Sequence, residues 1–446
     1  MPAPPPASRN ANASRPGDHA RILRAMGSVF GFVLLAKVAG AAKEVVIAYT
    51  YGVNEIVDAY VFAFTLYHWL PSLWFGVLGA VLVPLVARWA RENPRALRRF
   101  DSELLGHTLW IGIAATLLAA PIVALGAARG FLGLPDGTIE VLDGIVWPMA
   151  LVLGLGMPIS LASIRLMARE KHANTLYEGI PALTLLAVLL VSPQPGPDQL
   201  VWGTIAGLVL QWAALQASLH RADPIGPPVI GAASPVWPVF MRGIGIVLAG
   251  QFLMSATTII DQVMAARLDA GSLSSLGYAL RLVSLTLSLA ITVAARSVLP
   301  VFSDRVAAGD PDDATRRARQ WAVGLFLAGW GGVAIGCVLA PWGVALIFER
   351  GAFTASDTEA VTHLVRLGLI QLPFYAAGTV LAQLLAALHR LPAIAWVAGL
   401  NLVVKLGANL ALMPVLGAGG LMLASAAMYA GSGAMLWWLC RPGRAT

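Results

Sequence analysis

The sequence predicts an all-α, polytopic membrane protein with about twelve transmembrane helices in two halves of six, and three observations carry that prediction. Hydrophobic residues make up 58% of the chain and charged residues only 12%, against about 25% charged in soluble domains; mean hydropathy is +0.75. A bilayer span takes about 20 apolar residues, and such stretches recur along the chain with short polar loops between them, none long enough to fold alone. A proline-rich connector at 222–235, with Pro224, Pro227, Pro228 and Pro235, separates one set of spans from the other.

Residues 1–20, MPAPPPASRNANASRPGDHA, are too polar for a core or a signal peptide and read as a disordered cytoplasmic tail. Apolar periodicity then places helices at about 25–51, 56–90, 104–128, 141–168, 174–192, 199–219, 236–267, 272–304, 319–347, 357–388, 393–413 and 419–440. The expected organisation is an N-terminal lobe at 21–221, the cytoplasmic connector at 222–235, a C-terminal lobe at 236–440 and a cytoplasmic tail at 441–446. With the N-terminus in the cytoplasm, twenty of the 30 basic residues fall on the cytoplasmic side, among them Arg88, Arg91, Arg95, Arg98 and Arg99. Only Arg129, Arg267 and Arg350 fall opposite, a strong positive-inside bias. That placement accounts for the net charge of +7 without a nucleic-acid partner.

Cys337 and Cys440 lie in apolar stretches and suggest neither a disulfide framework nor a metal site. No phosphate-cradling glycine loop and no His/Cys/carboxylate spacing appears, which argues against an ATP-driven pump or an enzyme with a cofactor. A weak internal repeat pairs Leu82-Val83-Pro84-Leu85-Val86 with Val298-Leu299-Pro300-Val301-Phe302, each followed by a basic loop. Repeat-built transporters place their substrate between the repeats, near the midplane.

The first helix pair holds the most informative charges: Lys37, Lys43, Glu44, Glu55 and Asp58 within an otherwise apolar run. A charge at the bilayer centre costs about 2.5 to 3.5 kcal/mol on insertion scales, so two lipid-facing lysines would cost about 5 to 7 kcal/mol. They are expected to face a wet internal cavity and to hold an anionic group there. Lys37 and Lys43, six apart, are about 120° out of register on a straight helix, and Gly40 offers a point for a bend. Lys37 and Glu44 share a face, so a structural ion pair is the competing reading. Asp58 either lines the cavity or favours a helix N-terminus. Arg281, in the middle of the eighth helix, is either a cavity cation or a partner of Asp261. Arg242 and Arg296 lie near helix ends and can snorkel.

Several segments resemble the MurJ/MviN lipid II flippases of the MOP superfamily. AKVAGAAKEVVIAYTYGVNEIVDAYVFAF is similar to that family's first helix pair, IIDQVMAARLDAGSLSSLGYALRL to its seventh and eighth helices, and VLPVFS to the segment closing the eighth. The most specific likeness is Phe348-Glu349-Arg350-Gly351-Ala352-Phe353-Thr354 with Asp357 and Thr358, and the similarity runs over about 25–440. The resemblance implies two six-helix lobes around a cationic central cavity and an undecaprenyl-diphosphate-linked saccharide as substrate. It puts Lys37 and Lys43 where the family has first-helix arginines, Asp58 on its second-helix aspartate and Arg281 on the basic residue of its Tyr-Ala-x-Arg-Leu segment. This chain departs from the family at Pro71-Ser72-Leu73-Trp74-Phe75-Gly76, where an Arg-Arg pair and Glu-Gly are usual, and in showing twelve spans where two more are typical.

The resemblance further implies a bacterial inner-membrane location, and the positive-inside bias puts both termini in the cytoplasm. The resemblance implies alternating access, which an interior-negative membrane potential is expected to drive, and monovalent-cation coupling in some relatives. There a sodium ion is held by a seventh-helix aspartate with Asn and Asp, four apart, on the eleventh. Here the corresponding residues are Asp261, Asn401 and Lys405, and an ammonium at 405 is expected to replace the ion and pair with Asp261. Expected partners are the lipid-linked saccharide and membrane lipid. The alternatives are a flippase for an exopolysaccharide or O-antigen repeat, a drug or small-solute exporter, and a non-transporting scaffold for envelope synthesis enzymes.

Overall fold

The computed structural model describes residues 35–169, 174–192, 196–222, 226–288, 311–388 and 390–441, and no strand occurs among them. The predicted tail at 1–20, Arg296 and the 298–302 copy of the repeat lie outside the described residues. The first half comprises α1 (35–51), α2 (Glu55–Glu92), α3 (Pro94–Ala128), α4 (Asp136–Ala168), α5 (Asn174–Tyr177), α6 (Ile180–Val191) and α7 (Pro197–Ala222). The second comprises α8 (Trp237–Ala265), α9 (272–288), α10 (Pro311–Phe348), α11 (Ala355–Leu369), α12 (Leu372–Ala387), α13 (Leu391–Leu416) and α14 (Ala418–Leu439). Among the described residues nine helical stretches are long and apolar enough to cross a membrane.

Two boundary expectations change, for local reasons. The basic stretch after α2 is helix rather than loop: Asn93 alone separates α2 from α3, its side chain accepting from the Ala96 N–H while Pro94 opens the new helix. Two predicted single helices are instead broken. Pro373 follows the turn at 370–371 between α11 and α12, and Gly179 with Pro181 separates α5 from α6.

α4 is the most enclosed helix of the first half; Leu142, Val146, Met149, Ala150 and Leu153 pack in one cluster with Val57, Ala59, Phe62 and Ala63 of α2. In the second half α10, α12, α13 and α14 share a separate cluster around Leu384, Val397 and Leu436. Leu117 and Ile122 of α3, Trp342 of α10 and Val403 of α13 are all more than half exposed. Apolar faces of that extent suit hydrocarbon, not water.

The connector is not a free linker. Val229 N–H donates to the Ser102 carbonyl, Ala233 and Ser234 N–H to the Glu103 carboxylate, and Trp237 Nε1 to Glu103 at 2.6 Å. This binds the start of α8 to α3.

Candidate functional site

The two halves meet at a seam formed by turns from each. Gly52 ends α1 at φ +65° and Gly351 sits in the 349–354 loop at φ +63°, a conformation that glycine adopts without strain. A Cβ at Gly52 would strike the Ala352 carbonyl, and one at Gly351 the Tyr49 carbonyl. The close approach lets Ala352 N–H donate to Tyr49 O at 2.8 Å. Phe348 and Phe353 are buried against Tyr278, whose hydroxyl donates to the Gly52 carbonyl at 3.2 Å. The family-like loop is therefore a docking element, fastening the second half to the α1–α2 turn.

Asp58 belongs to this seam. Its buried carboxylate accepts from Gly271 N–H and Ser274 N–H, both at 2.6 Å, and so caps the N-terminus of α9 from the opposite half. Asp58 stands in the first turn of α2, as the helix N-terminus reading expects, and its carboxylate also caps α9 across the seam, which the sequence did not indicate.

Below the seam, Glu44 joins α1 to α9. One carboxylate oxygen lies 2.7 Å from Lys43 Nζ and the other 2.9 Å from Arg281 Nη1. At 1.5 Å rise per residue, the cluster lies about 10 to 13 Å in from the seam ends of α1 and α9. Arg281's partner is thus Glu44, not Asp261. Lys43 also opens into a pocket of about 320 Å³ lined by Tyr60, His68, Glu178, Thr204 and Gln211 among others. Tyr60 and Thr204 hydroxyls share a hydrogen bond of 2.8 Å across it. The pocket is walled by α1, α2, α6 and α7.

Lys37 does not join this cluster. α1 runs through Gly40 without interruption, so Lys37 stays on a different face from Lys43, about 9 Å along the axis. It is exposed, and among the described residues no carboxylate pairs with it.

The second set of residues closes around an ammonium. Lys405 Nζ lies 2.9 Å from Asp261 Oδ2 and donates to the Leu421 carbonyl at 3.0 Å and the Ser425 hydroxyl at 2.5 Å. Asn409 Nδ2 donates to the other Asp261 oxygen at 2.8 Å. Asn401, one turn before Lys405, is half-buried, and its side-chain oxygen has no hydrogen-bond partner among the described residues. The structure brings Asp261 and Lys405 together and adds Asn409 and Ser425, which sequence reasoning missed; Asn409 sits four residues beyond Lys405 on the same face. His68, in the largely apolar run of α2, and Glu178, in the turn between α5 and α6, were also missed.

A further buried pair is structural. Arg165, counted by sequence among the cytoplasmic basic residues, is 3% exposed and lies 2.9 Å from Asp101 Oδ1, joining α4 to α3.

Helix bundles fastened across such a seam define the class: this is a multi-pass membrane transporter with the MOP-superfamily fold. A solved structure titled "Lipid II flippase MurJ, inward closed conformation" superposes with a TM-score of 0.78 at 18% identity, over 92% of this chain and 86% of that one. An inward-facing multidrug resistance MATE family transporter of the MOP superfamily superposes at 0.74 with 12% identity, over 91% and 94%. In sequence, the family described as lipid II flippase MurJ matches residues 47–445, and the chain belongs to that family, whose members are transporters rather than enzymes. The lipid II flippase MurJ of Burkholderia cenocepacia is 25% identical over 82% of this chain and 72% of its own length. A probable lipid II flippase MurJ of Bdellovibrio bacteriovorus is 23% identical over the same shares.

Proposed function

We propose that this protein moves a polyprenyl-diphosphate-linked saccharide, lipid II or a related envelope precursor, from the cytoplasmic to the outer leaflet of the inner membrane by alternating access. The observation that carries the reading is the Glu44 carboxylate held between Lys43 and Arg281 at 2.7 and 2.9 Å, across the two halves and beside a pocket. A diphosphate brings more charge and more acceptor oxygens than a carboxylate, so it competes with Glu44 for the same two cations. When it wins, the ionic tie between α1 and α9 is lost and the seam keeps only its hydrogen bonds and aromatic packing. Cargo binding and opening are coupled in this way. Lys37, exposed further from the seam, meets the diphosphate on its way in.

The lobes at 21–221 and 236–440 are then the two rocking bodies, with both termini cytoplasmic. An interior-negative potential favours outward movement of negative charge by about 2.3 kcal/mol per charge per 100 mV, so no nucleotide is needed. Lys405 supplies a built-in cation: its ammonium has carboxylate, carbonyl and hydroxyl oxygens around it, the donors a bare monovalent ion would require. Transport is accordingly expected to be independent of sodium.

A second reading concerns the cargo's sugar. Pro71 to Gly76 of α2 carries no charge, and Pro71 packs closely against Gly156 of α4. That favours a saccharide other than that of lipid II. Flipping of labelled lipid-linked saccharides by proteoliposomes tests both: which saccharide is moved separates the cargoes, and Lys43→Ala and Arg281→Ala are expected to slow flipping by about ten- to a hundredfold, whereas a scaffold for synthesis enzymes would tolerate them.

A further inference from the structure

The second half carries a groove that the transport site leaves unused. α10, α12 and α14 wall an apolar cleft of about 340 Å³, lined by Val323, Phe326, Phe374, Ala377, Ala434 and Trp437 among others. It shares no lining residue with the Lys43 pocket. On α10, Arg316, Arg319, Gln320, Val323 and Phe326 recur at helical spacing, and Ala430, Ala434, Trp437 and Arg441 do the same along α14 and just beyond it. Each helix therefore turns one stripe toward the cleft, apolar along most of its length and basic at one end.

At the basic end a second opening, about 500 Å³, is bounded by Arg316, Arg319, Gln320 and Arg441. Arg319 links the two spaces. Its guanidinium lies 3.7 Å from the Trp437 ring centroid, and Nη1 donates to the Cys440 carbonyl at 3.2 Å. Asp313 is engaged by Arg317 at 2.8 Å and lies 3.6 Å from Arg316. Among the described residues Arg319 and Arg441 have no carboxylate partner, so the opening keeps a positive charge.

We propose that this groove binds an anionic phospholipid, with its phosphate at Arg319, Arg441 and Arg316 and an acyl chain along the cleft beside Trp437. The argument is charge complementarity joined to depth. Tryptophan prefers the level of the headgroups, arginines beyond it meet phosphate, and the apolar stripe continues toward the bilayer centre. Basic recesses between membrane helices select lipids carrying extra negative charge. A zwitterionic lipid fits the cleft equally but leaves the arginines without net compensation.

Native mass spectrometry of the purified full-length protein, titrated with dioleoyl phosphatidylglycerol or dioleoyl phosphatidylcholine, tests this. Wild type is expected to retain phosphatidylglycerol in clear excess. R316Q/R441Q leaves the Arg319 bonds to the end of α14 intact. Each arginine near an anionic headgroup contributes about fivefold, so this variant should lose roughly twenty-five-fold in phosphatidylglycerol retention with phosphatidylcholine unchanged. Ala434→Trp, on an exposed position, keeps every arginine and fills the cleft, and should reduce both lipids; it decides the matter alone if the double variant does not fold. Equal retention of the two lipids by wild type, or retention unchanged in both variants, overturns the proposal. Displacement of phosphatidylglycerol by equimolar undecaprenyl diphosphate also overturns it, assigning the groove to the cargo's own lipid.

Discussion

The Glu44 cluster and the Asp261 cluster use the same ingredients, a carboxylate facing basic side chains among apolar helices, and are held in opposite ways. Glu44 links α1 to α9, across the two halves, with the Arg281 side chain 38% exposed and a pocket beside Lys43. Asp261 and Lys405 lie within one half, between α8 and α13, and the Lys405 side chain is 2% exposed. An ion pair that joins two bodies and borders a void can be exchanged for a ligand. One that is sealed within a single body cannot, and instead fixes how its helices pack.

The largest effect expected from breaking this contrast is at the sealed pair. Asp261→Ala strands a buried ammonium, which costs about 3 to 5 kcal/mol, and thermal unfolding in detergent should show a marked fall in Tm. Replacing both partners, Asp261→Leu with Lys405→Met, should recover most of it, because no charge is then left uncompensated. A single variant as stable as wild type would remove the distinction between the clusters.

At the exchangeable cluster the effect should appear in transport rather than in folding. Charge-assisted hydrogen bonds contribute about 1.5 to 3 kcal/mol, so Lys43→Ala or Arg281→Ala should slow flipping by about ten- to a hundredfold with a far smaller change in Tm. Measuring rate and melting on the same preparations separates the two. A smaller change is expected at the seam. Asp58→Asn removes the charge that caps α9, worth about 1 kcal/mol, and hydrogen exchange at the Gly271 and Ser274 amides should quicken by about fivefold. Last, melting in sodium and in potassium should coincide, since Lys405 already occupies the space between Asp261 and Ser425; stabilisation by sodium alone would sink the built-in cation.

How much of this could be read from the chain depended on distance along it. The spans were legible from the length of their apolar runs, and the Asp261–Lys405 pairing because the resemblance put the two residues at one site, where opposite charges among apolar helices demand each other. Arg281 was legible as a cation inside an apolar run, but its partner was not: Glu44 lies far away in sequence, and helical register favoured Lys37 for it instead. Asp58 shows the same limit, since the preference of a carboxylate for a helix N-terminus does not say which helix. The loop at 349–354 could be recognised by its residues, whereas its contact with Tyr49 and Gly52 depends on two turns meeting in space. The groove beside Trp437 emerged only when α10 and α14 were seen side by side.

The central claim is that Glu44 and the cargo's diphosphate compete for Lys43 and Arg281. Binding of undecaprenyl diphosphate to the purified protein, wild type against Glu44→Gln, tests it most directly. Removing the competitor is expected to tighten binding, by about tenfold if the carboxylate's hold on the two cations is worth about 1.4 kcal/mol at this partly exposed site. Binding that is unchanged or weaker in Glu44→Gln would contradict the account and leave the cluster as a structural tie.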